Sequence, residues 1–201
     1  MRRKEFNIED KQIILKILSS CEYGVLSLIS ENKPYSVALN FVYFQDKLYF
    51  HGAKEGRKVE AIRDNNKASF LVVKPYSLIP SYFSNTIAAC PATQFFSSVF
   101  FEGEIKQIEN KNKKAEVLNA LMEKLQSEGG YEPIAYEKAM YKKMIEKTAV
   151  FEFTVLNLSC KVKVGQNLNN MQKNNMLEKL SNRNTQIDKQ TIKVIKEFNK
   201  D

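Results

Sequence analysis

The stretch from Tyr35 to Lys58, YSVALNFVYFQDKLYFHGAKEGRK, constrains the fold more than any other part of the chain. Two runs rich in aromatic and β-branched residues are separated only by Gln45 and Asp46. That spacing predicts a β-hairpin with strands of about ten and six residues. The second strand ends at His51. Gly52-Ala53-Lys54-Glu55-Gly56-Arg57-Lys58 then leads into Val59 and Ile62 at helical spacing, so the loop delivers Lys54, Arg57 and Lys58 to a helix N-terminus. Such a terminus carries partial positive charge and unpaired N–H groups, and each added cation is repelled there by a few tenths of a kcal/mol or more. A bound phosphate resolves that conflict. Without one, the segment is a solvated basic turn.

The remaining pattern is mostly β. Ile13, Ile14, Ile17 and Leu18 predict a short opening helix over Asn7 to Ser20 with Asn7 as its N-cap. Tyr23 to Ile29 reads as a strand that turns through Ser30–Pro34 into the central hairpin. After a helix from Val59 to Asn65, Lys67 to Val73 forms a fourth strand closed by Pro75. Tyr76 to Phe96 is the one long irregular stretch, and its aromatics argue for a functional loop rather than disorder. Ser98 to Ile108 is a strand whose Gly103 suits a barrel corner or bulge. Asn112 is the expected cap of an amphipathic helix carrying Ala115, Leu118, Leu121, Met122 and Leu125, ended by Gly129-Gly130. Tyr136, Met140 and Met144 suggest a further helix packed on the core. Thr148 to Val164 is the closing strand, with Ala149, Phe151, Phe153 and Val155 on one buried face. From Leu168 onward, helical spacing recurs in an Asn- and Lys-rich tail that packs as helices or frays. About six antiparallel strands with helices at their ends make the fold class mainly β (α+β by content), a small barrel with peripheral helices.

Composition narrows the function. At 201 residues the chain suffices for one domain with an extension, and no apolar run approaches the roughly 18 residues of a membrane span. The N-terminus lacks the apolar core of a secretory signal, which points to a soluble, cytoplasmic protein. Cys21, Cys90 and Cys160 are widely spaced and form no CxxC, so they read as buried or incidental thiols rather than disulfides or metal ligands. The net charge of +8 raises nucleic-acid binding. Yet the excess is lysine scattered over the whole chain, with arginine only at positions 2, 3, 57, 63 and 183, and no nucleic-acid-binding signature is present.

The segment KPYSVALNFVYFQDKLYFHGAKEGRKVEAIRDNNKASF resembles the FMN-binding split-barrel proteins related to pyridoxamine 5′-phosphate oxidase, in the branch of the 5-nitroimidazole-resistance reductases. Cys90, Thr93, Phe96, Ser98, Val99 and Gly103 follow the spacing of a second block of that branch, and Val150 to Lys163 resembles its closing strand. Ala38 departs from the pattern, in which a proline precedes the Leu-Asn-Phe run. The similarity spans residues 5 to 165. It implies a six-stranded antiparallel split β-barrel over residues 1–165, with residues 166–201 as a C-terminal helical extension.

The resemblance also implies a homodimer with FMN in grooves between subunits. Ser36, Val37, Ala38, Leu39 and Asn40 would lie along the isoalloxazine edge. Arg57 and Lys58 would take the phosphate beside Gly52, and Ser98 and Val99 would reach it or the ribityl chain. His51, the one histidine in the chain, is both a cofactor contact and the candidate catalytic acid. The expected activity is transfer of electrons from NADH or NADPH to a small acceptor such as a nitro compound or quinone. With no Rossmann GxGxxG, the nicotinamide would be a transient substrate. Two alternatives stand: a non-catalytic FMN-binding or storage protein, and a split barrel holding haem through His51.

Overall fold

Two tight turns set the sheet in register. The computed structural model describes residues 3–84 and 86–199. In it, β2 (Tyr23–Ser30) turns into β3 (Lys33–Phe44) through Glu31 and Asn32, and β3 turns into β4 (Lys47–Gly52) through Gln45 and Asp46. All four turn residues have positive φ, between 51° and 59°. That is the left-handed geometry of two-residue hairpin turns, whose twist matches the strands. The remaining strands are β1 (Asn7–Ile8), β5 (Lys67–Ile79), β6 (Thr93–Gln107) and β7 (Ala149–Lys163). Their order is β1-β7-β4-β3-β2-β5-β6, and a further pairing of β7 with β6 closes the six long strands into a ring. This is the antiparallel split-barrel arrangement expected from the sequence, with β1 added.

The helices are α1 (Lys11–Ser19), α2 (Arg57–Asp64), α3 (Lys111–Leu125), α4 (Ala139–Lys147), α5 (Asn170–Arg183) and α6 (Gln186–Phe198). The chain divides into two compact units. One comprises Lys11–Val72 and Val99–Leu158; the other gathers the residues up to Asp10, Val73–Ser98 and those from Ser159 on. In the first, Phe41, Phe50, Phe70, Phe101, Phe151 and Phe153 are almost wholly buried. Phe50 and Phe151 face each other across β4 and β7 and stack at 5.1 Å, while Phe41 meets Phe70 edge-on at 5.3 Å. Such ring pairs add about 0.5–1.5 kcal/mol each to the burial itself. On another face Val42, Tyr49, Ile108 and Val150 pack with Val117 and Leu121 of α3.

In the second unit, α6 and α5 are tied to β5 through Asp188, which is fully buried. Arg183 donates to it from Nε (2.9 Å) and Nη2 (2.6 Å), Ser77 from Oγ (2.5 Å), and Thr185 from Oγ1 (2.6 Å). Thr185 and Asp188 also form the capping box that starts α6.

Several boundaries differ from the sequence reading. Asn7 does not cap α1: with Ile8 it pairs with Lys161 and Cys160 of β7, and α1 begins at Lys11. Pro75 does not end β5, because it lies beyond Ser69–Leu71, the residues paired with β2, where its missing N–H breaks no bond to that neighbour. With β5 continuing to Ile79 and β6 starting at Thr93, the irregular stretch shrinks to the residues between them, including a 3₁₀ turn at Ser81–Ser84. The cap of α3 is Asn110, whose side chain accepts from Lys113 N at 2.9 Å. Met140 and Met144 are exposed; α4 buries Ile145 instead, so those methionines do not pack on the core. Val155 is only half-buried, whereas both faces of β7 are covered from Ala149 to Phe153, Val150 packing with α3 and Glu152 pairing with Lys47 and Lys106. Cys21 and Cys160 are buried, but Cys90 is exposed, since it sits outside strand pairing in the loop before β6.

Candidate functional site

The hairpin leaves one backbone edge open. β3 pairs with β2 along its first eight residues, Lys33 to Asn40, but with β4 only from Phe41 to Phe44. Opposite β2, the edge from Ser36 to Asn40 therefore has no strand partner among the described residues. Its alternate N–H and C=O groups are available to something that is not a strand, and a bare edge of this kind is normally covered. Ser36, Ala38 and Asn40 point to the exposed face, while Val37 and Leu39 are half-buried. Two of the outward side chains are tethered: Ser36 Oγ lies 3.0 Å from Ser27 Oγ, and Asn40 Nδ2 donates to Glu22 O at 3.0 Å.

The start of α2 reaches the beginning of β3, where Arg57 packs on Tyr35. Gly56, with φ of 105°, turns the chain into the helix and offers no side-chain cap. Its carbonyl accepts from Val59 N (2.8 Å) and Glu60 N (3.1 Å). The N–H groups of Arg57 and Lys58 belong to the unpaired first turn that attracts anions. Arg57 is fixed in place by two contacts. Its Nε donates to Ser30 Oγ at 3.1 Å, and its guanidinium carbon sits 4.3 Å from the centre of the Tyr35 ring. Only one of its five N–H donors is used on Ser30.

Lys58 approaches from the other end. Its Nζ lies 5.5 Å from the Phe50 ring and 5.7 Å from the Phe151 ring, and a Cβ built on Gly52 would stand 2.4 Å from it. Gly52 is therefore the residue that lets Lys58 fold back over the end of β4. Desolvation lowers the Lys58 pKa, and no carboxylate lies within ion-pair distance of Lys58 or Arg57 among the described residues. His51, exposed on one side at the end of β4, has its pKa lowered by desolvation and then by the Lys58 charge. At neutral pH its imidazole is mostly uncharged, keeping one ring donor and one acceptor.

Within this unit the structure joins His51, Gly52 and Lys58 at the end of β4 and sets Arg57 against Tyr35, the residue before Ser36, while Val37, Ala38, Leu39 and Asn40 continue the open stretch of β3. Val99 turns its side chain into the core, so only its backbone could serve a ligand, and Ser98 belongs to the other unit. Sequence reading missed Ser30, Tyr35, Phe50 and Phe151 as the groups that hold Arg57 and Lys58. Nothing local marks them, because the contacts to Ser30, Tyr35 and Phe151 join residues far apart in the chain and the contact to Phe50 forms only when Lys58 folds back over the end of β4.

Comparison with known proteins agrees with this architecture. The family model described as pyridoxamine 5′-phosphate oxidase matches residues 10–162. A candidate 5-nitroimidazole antibiotic resistance protein from Bacteroides thetaiotaomicron is 25% identical, covering 78% of this chain and 86% of its own, with a TM-score of 0.61. The flavocytochrome Anf3 from Azotobacter vinelandii is 23% identical over 79% of this chain and 69% of its own, with a TM-score of 0.65. An FAD- and haem-binding protein from Mycobacterium smegmatis shares the fold at 14% identity and a TM-score of 0.66, over 78% of this chain and 73% of its own. No curated protein sequence matches the chain. A family match over three-quarters of the sequence, carried on a closed six-stranded antiparallel ring, identifies the chain as a member of the pyridoxamine 5′-phosphate oxidase-like family.

Proposed function

We propose that this chain is a flavoprotein oxidoreductase that holds FMN along the open edge of β3, with the flavin phosphate at the start of α2. The observation that carries this reading is the adjacency of three features. An unpartnered backbone edge begins beside Tyr35, the ring on which Arg57 packs, and an uncapped helix N-terminus carries Arg57 together with a second cation, Lys58, neither with a carboxylate partner. The edge suits the polar rim of a flat heterocycle, whose carbonyls and ring nitrogens can exchange hydrogen bonds with alternate N–H and C=O groups. Arg57 and Lys58 suit a dianionic phosphate, since charge-assisted hydrogen bonds are roughly twice as strong as neutral ones. Names of structural relatives that include flavin binding support the same class of cofactor.

Bound flavin would supply hydride and electron transfer between a nicotinamide donor and a small acceptor such as a nitro compound or quinone. The protein's part is to position and to move a proton. Arg57, pinned by Ser30 and Tyr35, holds the phosphate in one orientation, and Lys58, half-buried over Phe50 and Phe151, neutralises it. His51 stands close enough to Lys58 to feel its charge, and its protonated form can donate to a reduced acceptor. A second copy of the chain covers the outward face of β2, β3 and β5 and completes the groove.

The absorption spectrum of the purified protein tests this directly. A flavin spectrum with about one equivalent of FMN released per chain on denaturation supports it. An intense haem Soret band, or protein that stays colourless after FMN is added, overturns it; released FAD corrects the cofactor alone. Reduction of the bound flavin by NADH or NADPH separates an oxidoreductase from a storage protein.

A further inference from the structure

We propose that a cavity between α1, β3 and α3 binds a small aldehyde or ketone with an apolar body and holds it as an imine on Lys124. The cavity measures about 590 Å³ and shares no lining residue with the β3 edge from Ser36 to Asn40 or with the start of α2. Leu15 and Leu18 of α1 and Val42 and Tyr43 of β3 give it an apolar wall, Gln12, Lys16 and Ser19 of α1 add polar groups, and Lys124 of α3 belongs to the same lining. Those walls suit an apolar or aromatic group, and a volume of this size admits a small molecule.

Lys124 is an unusual amine. Its Nζ donates to the carbonyl of Phe41 at 2.8 Å and lies 3.5 Å from the centre of the Phe41 ring. Those contacts fix the nitrogen in one position. No carboxylate forms an ion pair with Lys124 among the described residues. Desolvation pushes its pKa down to about 8, against smaller upward effects of Cys21 and Glu22. At pH 7.5 roughly a quarter of the amine is then neutral, on the order of a hundredfold more than for a lysine of ordinary pKa. The neutral amine can keep one N–H on the Phe41 carbonyl while its lone pair remains available. Lys58, Lys114 and Lys163 also have lowered pKa values, but none of them lines this cavity.

The chemistry balances without a further reactant. The Lys124 lone pair adds to the carbonyl carbon, the carbon–oxygen π bond opens, and the carbinolamine then expels the oxygen as water, carrying both protons of the amine. The product is a C=N bond, with no change of oxidation state, and hydrolysis reverses it.

Reductive trapping reads this directly. Full-length protein is incubated with benzaldehyde and sodium cyanoborohydride, and the benzylated lysines are mapped by mass spectrometry. The expected result is one dominant label on Lys124, with a rate that saturates as benzaldehyde increases and rises with pH through about 8. The groups facing the amine in that titration are Cys21, Glu22, Lys16 and Tyr43. Lys124→Met should abolish the label while leaving labelling of Lys114 unchanged. Leu15→Trp, which fills the cavity but keeps the amine, should remove the saturation. Labelling spread over the lysines, or a Lys124 rate that grows linearly with benzaldehyde, overturns the proposal. Wild-type mapping decides the question even where a variant fails to fold, and neither outcome depends on flavin content.

Discussion

Lys58 carries its charge over two phenyl rings instead of against a carboxylate, and that placement makes it the most informative single residue. A half-buried cation is costly until an anion arrives, so ligand binding and relief of that cost are coupled. Lys58→Ala should weaken FMN binding by about 1.5–3 kcal/mol, the range for a hydrogen bond to a charged group, measured by fluorescence titration. Unchanged affinity would move the phosphate elsewhere. His51 gives the complementary experiment. Its lowered pKa means that the proton-donating form accumulates only as pH falls below about 6.5, the ordinary histidine value. If His51 is the acid, turnover per bound flavin climbs over that range, and His51→Ala both flattens the climb and costs roughly 10²-fold or more. If it only anchors the cofactor, the variant loses FMN and the activity of each remaining flavin is unaltered.

At the scale of elements, the strands were readable because their signal is local. Alternation in Tyr23–Ser30 and the aromatic runs on either side of Gln45-Asp46 fix strand, turn and face within a few residues. What was not readable depends on partners distant in sequence. Asn7 looks like a cap until Lys161 pairs with it, and Met140 and Met144 look like a core stripe until Ile145 takes that place. The same division holds for the site: the cations at the start of α2 could be read directly, whereas the open β3 edge follows from where β4 stops pairing. Gly103 shows how a strand depends on such a neighbour. A Cβ there would stand 2.1 Å from the Thr154 carbonyl oxygen of β7, so Gly103→Ala must push the two strands apart. It should lower the melting temperature by several degrees, since about 1–3 kcal/mol of overpacking shifts a domain of this size by a few degrees per kcal/mol. The Asp188 network makes a separate prediction for α5 and α6. Its carboxyl is held well below the usual carboxylate range, chiefly by Arg183, with Ser77 and Thr185 adding to the effect. A depressed pKa stabilises the folded form above the unfolded value of about 3.9, and that contribution is lost as pH falls below it. Limited proteolysis should therefore begin to cut residues 166–199 as the pH drops below about 4, and Arg183→Met should allow the same cuts at neutral pH by leaving a buried carboxylate without its cation.

At the scale of the chain, one sheet face carries exposed apolar residues beside a row of serines. Across β3, β2 and β5, Ala38, Val25 and Leu71 stand in one row, and Ser36, Ser27 and Ser69 in the next. Tyr23, Ile29, Leu71 and Phe100 are all exposed on β2, β5 and β6, an arrangement a lone chain would rarely leave in water. In the proposed dimer a second copy covers this face, and the flavin lies at the seam, bounded on one side by the β3 edge. Oligomeric state and cofactor affinity should then fail together. Leu71→Glu places a carboxylate on that face, at the β5 end of the row, where burial without a cation is strongly unfavourable. By analytical ultracentrifugation the variant should sediment as a monomer, and titration should show FMN affinity reduced by well over tenfold, although neither Arg57 nor Lys58 has been touched. Circular dichroism serves as the control, because Leu71 is exposed and its replacement leaves the ring intact. A folded monomer that still binds FMN at full affinity would show that one chain builds the whole groove, and the face around Leu71 would need another occupant.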